Sequence, residues 1–184
     1  MAAHLSLPET KSVDAAPAIM DYGIWTGHRI PEDRSSWHSL VRRFYEYWLE
    51  VAPPGRLPGR QHIVPEAIAP LLSRLWMLDV FRDPLRFRYR LVGTDIVRLV
   101  QRELTGQWLD EAQPGTVRNV EVRDRHRFIL ETKQVTWRRG QTLWDHDPNY
   151  HFVENCLAPL ATDGETVDKI IAVSVLFDAS GREL

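Results

Sequence analysis

Hydrophobic and polar positions change period several times along this chain, and each change marks an element. From Arg86 to Leu91 charged and apolar residues alternate, the period-two pattern of a strand with one face buried. An apolar run over residues 75–81 precedes it across Arg82, Asp83 and Pro84. So short a polar corner predicts two antiparallel strands. Upstream, Trp37, Leu40, Val41, Phe44, Trp48 and Val51 recur at spacings of three and four, with Arg42, Arg43, Glu46 and Glu50 between them. That spacing predicts an amphipathic helix with an aromatic stripe, capped by Ser35 or Ser36 and ended by the Ala52-Pro53-Pro54-Gly55 run.

The remaining elements come in order. Pro65 opens a short helix that ends before the first strand. After the strand pair, Thr94 or Asp95 caps a helix bearing Ile96, Val97, Leu99 and Val100, which Leu104-Thr105-Gly106 breaks. Residues 116–133 carry Val117, Val120, Phe128, Ile129 and Leu130 at helical intervals among charges, and read as a longer helix. Next come a strand at 135–137, a hairpin-like corner at 138–141 and a return at 142–144, then a polar turn containing Pro148. Residues 152–160 and 170–177 are apolar on both faces, as inner strands are, and the Thr162-Asp163-Gly164-Glu165 run turns between them. The expected organisation is a flexible leader over residues 1–34, an amphipathic helix over 35–56 and one α+β domain over 57–184. In the leader only Tyr22 and Trp25 stand out as candidate anchors.

Composition narrows the function classes. Twenty-three basic residues nearly balance twenty-five acidic ones, so net charge points neither to nucleic acid nor to an anionic membrane. The one cysteine, Cys156, cannot form an intrachain disulfide or a cysteine-based metal knuckle. No stretch approaches ~20 apolar residues, so no membrane span is expected, and the N-terminus lacks the pattern of a secretory signal. A cytoplasmic protein is the expectation.

The order of elements resembles that of a PAS domain: two strands, a helical insert and three strands. The Arg-Phe-Arg-Tyr-Arg-Leu-Val-Gly-Thr run at 86–94, the Leu-Thr-Gly run at 104–106 and the Ala-Pro-Leu-Ala-Thr-Asp-Gly run at 158–164 sit where PAS sequences carry related motifs. With Tyr47-Trp48 and Leu57-Pro58-Gly59-Arg60, the chain is similar to short stand-alone bacterial PAS proteins over about residues 37 to 179. The resemblance implies a five-stranded antiparallel sheet with helices over one face. It also implies a sensory or regulatory role through protein–protein interaction, and a ligand pocket between sheet and helices.

Candidate ligand residues are Phe87, Tyr89 and Leu91 on the sheet, His126 on the insert, and Trp137 and Phe152 nearby. An alternative has Trp108, Trp137 and Phe152 filling that space, leaving a docking module with a filled core. Some PAS sensors present a haem-ligating histidine from the insert, which makes a cofactor-binding sensor the other alternative. The expectation here is no cofactor, with His126 a packed or surface residue. Trp37, Phe44 and Trp48, together with Arg86, Arg88 and Arg90, are the candidate partner-binding residues. The helical stripe covers either its own sheet or a twin, and a homodimer is expected because so large an apolar face is not left in water. The arginines pair within the fold, for instance with Asp79 or Glu154, or meet a partner.

Other constellations carry less. Gly93-Thr94-Asp95 lacks the glycine spacing and the lysine of a phosphate loop, and reads as a strand exit and cap. His146, Asp147 and His151 cluster near a turn, where Asp and Asn serve turn chemistry as well as metal. Cys156 lies in an apolar strand and reads as a buried hydrophobe. Nothing assembles nucleophile, base and oxyanion donors, so no enzyme is expected.

Overall fold

The computed structural model describes residues 30–114, 120–141 and 152–184. Tyr22, Trp25, Val117, the return strand at 142–144 and the His146, Asp147 and His151 cluster lie outside the described residues.

The strand pair forms where alternation and the polar corner place it. Strand β1 (Leu75–Arg82) pairs antiparallel with β2 (Leu85–Val92). Three further strands, β3 (Thr136–Gln141), β4 (Phe152–Leu160) and β5 (Lys169–Phe177), complete an antiparallel sheet of order β2-β1-β5-β4-β3. The two most apolar strands, β4 and β5, are buried on both faces along most of their length, as expected of strands covered on both sides. The polar turn between them is held by Asp163, whose carboxylate accepts from the backbone N–H groups of Glu165 and Thr166 at 2.8 and 2.7 Å.

Each sheet face has its own cover and its own core. On one face lies helix α1 (Ser39–Glu50), packed over β4 and β5. Its Val41, Phe44 and Trp48 join Leu71, Met77, Cys156, Ile171 and Val173 in one buried cluster. The 3₁₀ segment Pro65–Arg74 extends this layer through Ile68 and Leu71. The helical insert covers the other face: α2 (Thr94–Val100), α3 (Leu109–Ala112) and α4 (Val120–Thr132). There Trp76, Leu78 and Tyr89 from the sheet pack with Ile96, Leu109 and Ile129 from the helices. The sheet is therefore the middle layer of three.

Four expectations from the sequence are corrected. First, α1 is capped by His38, not by Ser35 or Ser36. The His38 Nδ1 accepts from the Leu40 N–H at 3.3 Å, while Nε2 donates to Glu183 at 3.0 Å. Second, residues 138–141 are strand, not a corner: Arg138 to Gln141 pair residue for residue with Asn155 to Phe152. Third, the alternation in β2 does not run to Leu91. The register shifts between Met77 and Leu78, which face Leu91 and Tyr89 in turn, so Arg90 is the extra residue of a bulge. A bulge reverses the face of the residues beyond it, and Leu91 packs in the α1-side core while Phe87 and Tyr89 stay on the insert side. Fourth, α2 is capped by Gly93 without any side-chain cap bond, not by Thr94 or Asp95, and Gly93 is required there for space. Its φ is an ordinary −67°, but a Cβ there would stand 2.4 Å from the Ser73 carbonyl oxygen and 2.5 Å from that of Leu72.

Candidate functional site

In this structure α1 covers the sheet of its own chain. Trp37, Phe44 and Trp48 are buried in the core of their own chain. In this arrangement a partner would reach them only if α1 left the sheet. The N-terminal end of α1 is held by a socket of polar groups. Glu154, wholly buried, accepts from the His38 N–H at 2.7 Å and from Trp137 Nε1 at 3.1 Å, and its other oxygen lies 3.0 Å from Arg139 Nε. The Trp137 ring stacks on Trp37 at 5.1 Å, nearly parallel. Trp48 Nε1 donates to the Pro159 carbonyl at 2.9 Å.

The arginine row is likewise used within the chain. Arg86 forms a fork on Asp110, at 3.0 and 2.7 Å, touches Glu111 at 2.7 Å and lies over the Trp108 ring. This contact holds the Asp110 carboxyl below its usual pKa. Arg88 lies over Phe81 and 3.8 Å from Asp79, which Arg90 also approaches at 3.8 Å. The expected pairing with Asp79 is present, while Glu154 serves Arg139 instead. Of the three, Arg86 is occupied within the chain, while Arg88 and Arg90 keep exposed flanks that a partner could reach.

A ligand space does form between sheet and insert, though with a different lining from the expected one. A cavity of about 210 Å³ opens between the Leu85–Phe87 end of β2, the start of α3 and the inner face of α4. Leu85, Phe87, Leu109 and Val122 form its apolar walls, His126 its buried polar element, and Arg123 and Arg127 flank it. Helix α4 puts His126 inside because its inward positions recur at three and four: Arg125, His126 and Ile129 are all buried. Of the predicted ligand residues, Phe87 and His126 come together, their rings 4.9 Å apart. Tyr89 is buried in the insert-side core, outside the lining. Leu91 and Trp137 are corrected: both pack on the α1 side of the sheet. So is Phe152, whose register shares its face with Glu154 and Cys156. Trp108 does not fill the cavity either, for it packs edge-on against Phe81 at 4.9 Å.

The chemistry of His126 is set by its neighbours. Nδ1 lies 2.7 Å from the Val122 carbonyl, one helical turn back. A carbonyl only accepts, so Nδ1 carries the proton and Nε2 is left with a lone pair. Nε2 is buried and has no hydrogen-bond partner among the described residues. Desolvation pushes the imidazole pKa down to about 4, so the ring is neutral at pH 7. An orphaned buried acceptor of this kind costs about 1–3 kcal/mol unless something donates to it.

Next to it, α4 is fixed to the sheet by Arg125. Its guanidinium donates to Thr136 Oγ1 at 2.8 Å, Asn155 Oδ1 at 2.6 Å and the backbone oxygens of both residues. Burial lowers its pKa to about 9, which leaves it charged at pH 7. No sequence signal marked this residue, because arginine in a charged helix reads as solvated. Burial also raises the Cys156 thiol out of reactive range. Among the described residues, no three His, Cys, Asp or Glu side chains gather as a metal site, and no helix is long and apolar enough to cross a membrane. A second hollow, of about 420 Å³, lies between Tyr45, Trp48 and Val135, with Lys133 and Gln134 at its edge. It holds no buried orphan group.

Comparison with known proteins agrees with this architecture. No curated protein matches the chain. A solved structure described as that of an RNA-binding Light-Oxygen-Voltage receptor is 15% identical, with a TM-score of 0.41. The match covers 68% of this chain and 37% of that one, so the chain spans little more than a third of its length. A PAS domain family model matches residues 36–174, most of the chain from α1 into β5. The chain belongs to the PAS domain family, and is a sensory or regulatory module of that general kind.

Proposed function

We propose that this PAS domain senses a small ligand in the cavity beside His126 and reports it through protein–protein contact, without turnover. The observation that carries this reading is the buried Nε2 of His126, unpartnered among the described residues, on the wall of a cavity with an apolar interior and a rim of Arg86, Asp110, Arg123 and Arg127. Few polar groups in an apolar enclosure is the usual composition of a ligand site. Signal output follows from the position of the cavity: its walls are β2, α3 and α4, so filling it acts on the helical layer first. The space is small against the about 300–1,000 Å³ of drug-sized pockets, which favours a single-ring ligand and does not fit a haem in this conformation.

The test is a fragment screen by two-dimensional NMR on the full chain. Saturable shifts clustered at Phe87, Val122 and His126 are expected, and a library of small polar aromatics that moves none of them overturns the reading. One observation favours a second reading, a docking module without ligand. Trp76, Leu78, Tyr89, Ile129 and Leu176 fill the insert-side core, and the cavity occupies only its margin at the start of β2. On that reading a partner surface maps onto the domain while the screen stays silent.

A further inference from the structure

Polar groups in and around the cavity are arranged by sign. At the buried end, His126 offers an acceptor and nothing else, because its Nδ1 proton is committed to the Val122 carbonyl. A carboxylate or phosphate placed there would set lone pair against lone pair. The occupant must donate an O–H or N–H at this end. Beside it stands the Phe87 ring, tilted against the imidazole at 4.9 Å, and Leu85, Leu109 and Val122 complete an apolar wall suited to a flat, uncharged body.

The exposed end is cationic. Arg123 and Arg127 flank the cavity one turn apart on α4, both exposed. Neither forms an ion pair or hydrogen bond with another described residue. Arg86, which also lines the cavity, differs because Asp110 and Glu111 occupy its fork. With Arg86 these two carboxylates, of which Asp110 also lines the cavity, leave one net negative charge, so the two positive charges of Arg123 and Arg127 keep the rim net cationic. Guanidinium groups with no partner among the described residues, at the rim of an apolar slot, are suited to a carboxylate.

Resting on the ligand reading above, we infer that the cavity takes a small aromatic carboxylate with a hydrogen-bond donor at the end opposite its acid group. The donor meets Nε2 of His126, the ring lies against Phe87, and the acid group meets Arg123 and Arg127. The volume of about 210 Å³ limits the body to about one ring.

Three probes separate the parts of this inference: 4-hydroxybenzoate, benzoate without the donor, and p-cresol without the acid. Each is titrated into the ¹⁵N-labelled full chain, with the amides of Phe87, Val122 and Ile129 as readout. The hydroxybenzoate is expected to saturate at concentrations at least about tenfold below either of the others, since a site built around a polar group discriminates against ligands lacking its complement. In His126→Phe the gap between 4-hydroxybenzoate and benzoate collapses. In the double variant Arg123→Gln, Arg127→Gln the gap to p-cresol collapses. The comparison of probes stands on the unmodified chain, so a folding defect in a variant does not remove the test. Equal affinity for p-cresol or for benzoate overturns the ligand class while leaving a ligand cavity in place. No shift at these amides with any of the three overturns the class and the cavity reading together.

Discussion

Truncating Phe44 tests whether α1 is an integral layer of its own domain. The ring is 1% exposed and sits between Val41 and Trp48 over β4 and β5. Removing it uncovers roughly 150 Å² of apolar contact, which at ~25 cal/mol per Å² is about 4 kcal/mol. Measured Phe→Ala changes in cores span about 3–5 kcal/mol, because the space left behind collapses only in part. Against a total stability of about 5–15 kcal/mol, such a loss is readily measured. For a chain of this length it lowers the melting temperature by roughly 6–20 °C. The assay is urea denaturation of wild type and Phe44→Ala, followed by tryptophan fluorescence at two protein concentrations about twentyfold apart. Since α1 packs on its own sheet, the loss should be the same at both. A loss below ~1 kcal/mol refutes the packing, and a midpoint that rises with protein concentration shows that a second chain supplies the contact.

Other consequences arise from the same packing. Glu154→Gln weakens the socket that holds the start of α1, by removing the charge that faces Arg139 while keeping the volume; a loss of about 1–3 kcal/mol is expected, and a change below ~0.5 kcal/mol in urea contradicts it. Gly93→Ala drives a methyl into the carbonyls of Leu72 and Ser73, so about 1–3 kcal/mol should be lost to overpacking; unchanged stability would show that the approach is not tight. His126 makes stability depend on pH. Its folded pKa, about 4, lies below the ordinary 6.5, so the unfolded chain binds the proton first and stability falls as pH drops from about 6.5 toward 4. The contribution lost is on the order of 3 kcal/mol. It is read as the difference between wild type and His126→Phe across that window, which cancels the carboxylates; parallel pH profiles would refute it.

The fold was legible where burial repeats with a clean period. The aromatic stripe of α1, the two apolar strands β4 and β5, and the strand pair around Pro84 all announced themselves in this way. Failures fell where one residue changes the phase. The bulge at Arg90 turned Leu91 to the opposite face, and a bulge leaves no mark in an alternating pattern. Arg138 to Gln141 looked like a corner because arginines and a glycine are common there, yet the strand partner in β4 fixes them as an edge. The candidate site was half visible. Phe87 was readable from strand alternation and His126 from the resemblance to PAS sensors, with a helical spacing that allowed but did not require an inward position, and the structure brings them together. Arg125 and Glu154 were not recognised as buried anchors, because charged residues gain their burial from partners distant in sequence: Thr136 and Asn155 for one, His38 and Arg139 for the other. The orphaned state of Nε2 depends on the backbone of Val122 and on the cavity volume, and no residue pattern carries either.

The most direct measurement is the ¹⁵N spectrum of the His126 imidazole in the full chain at pH 7, before and after addition of a saturating ligand. The structure requires a neutral ring protonated at Nδ1, with an Nε2 resonance typical of a free lone pair that moves toward a hydrogen-bonded acceptor when ligand is added. A ring protonated at Nε2, a charged imidazolium, or an Nε2 resonance unmoved by any ligand that binds the domain would contradict the assignment of His126 as the acceptor of the site.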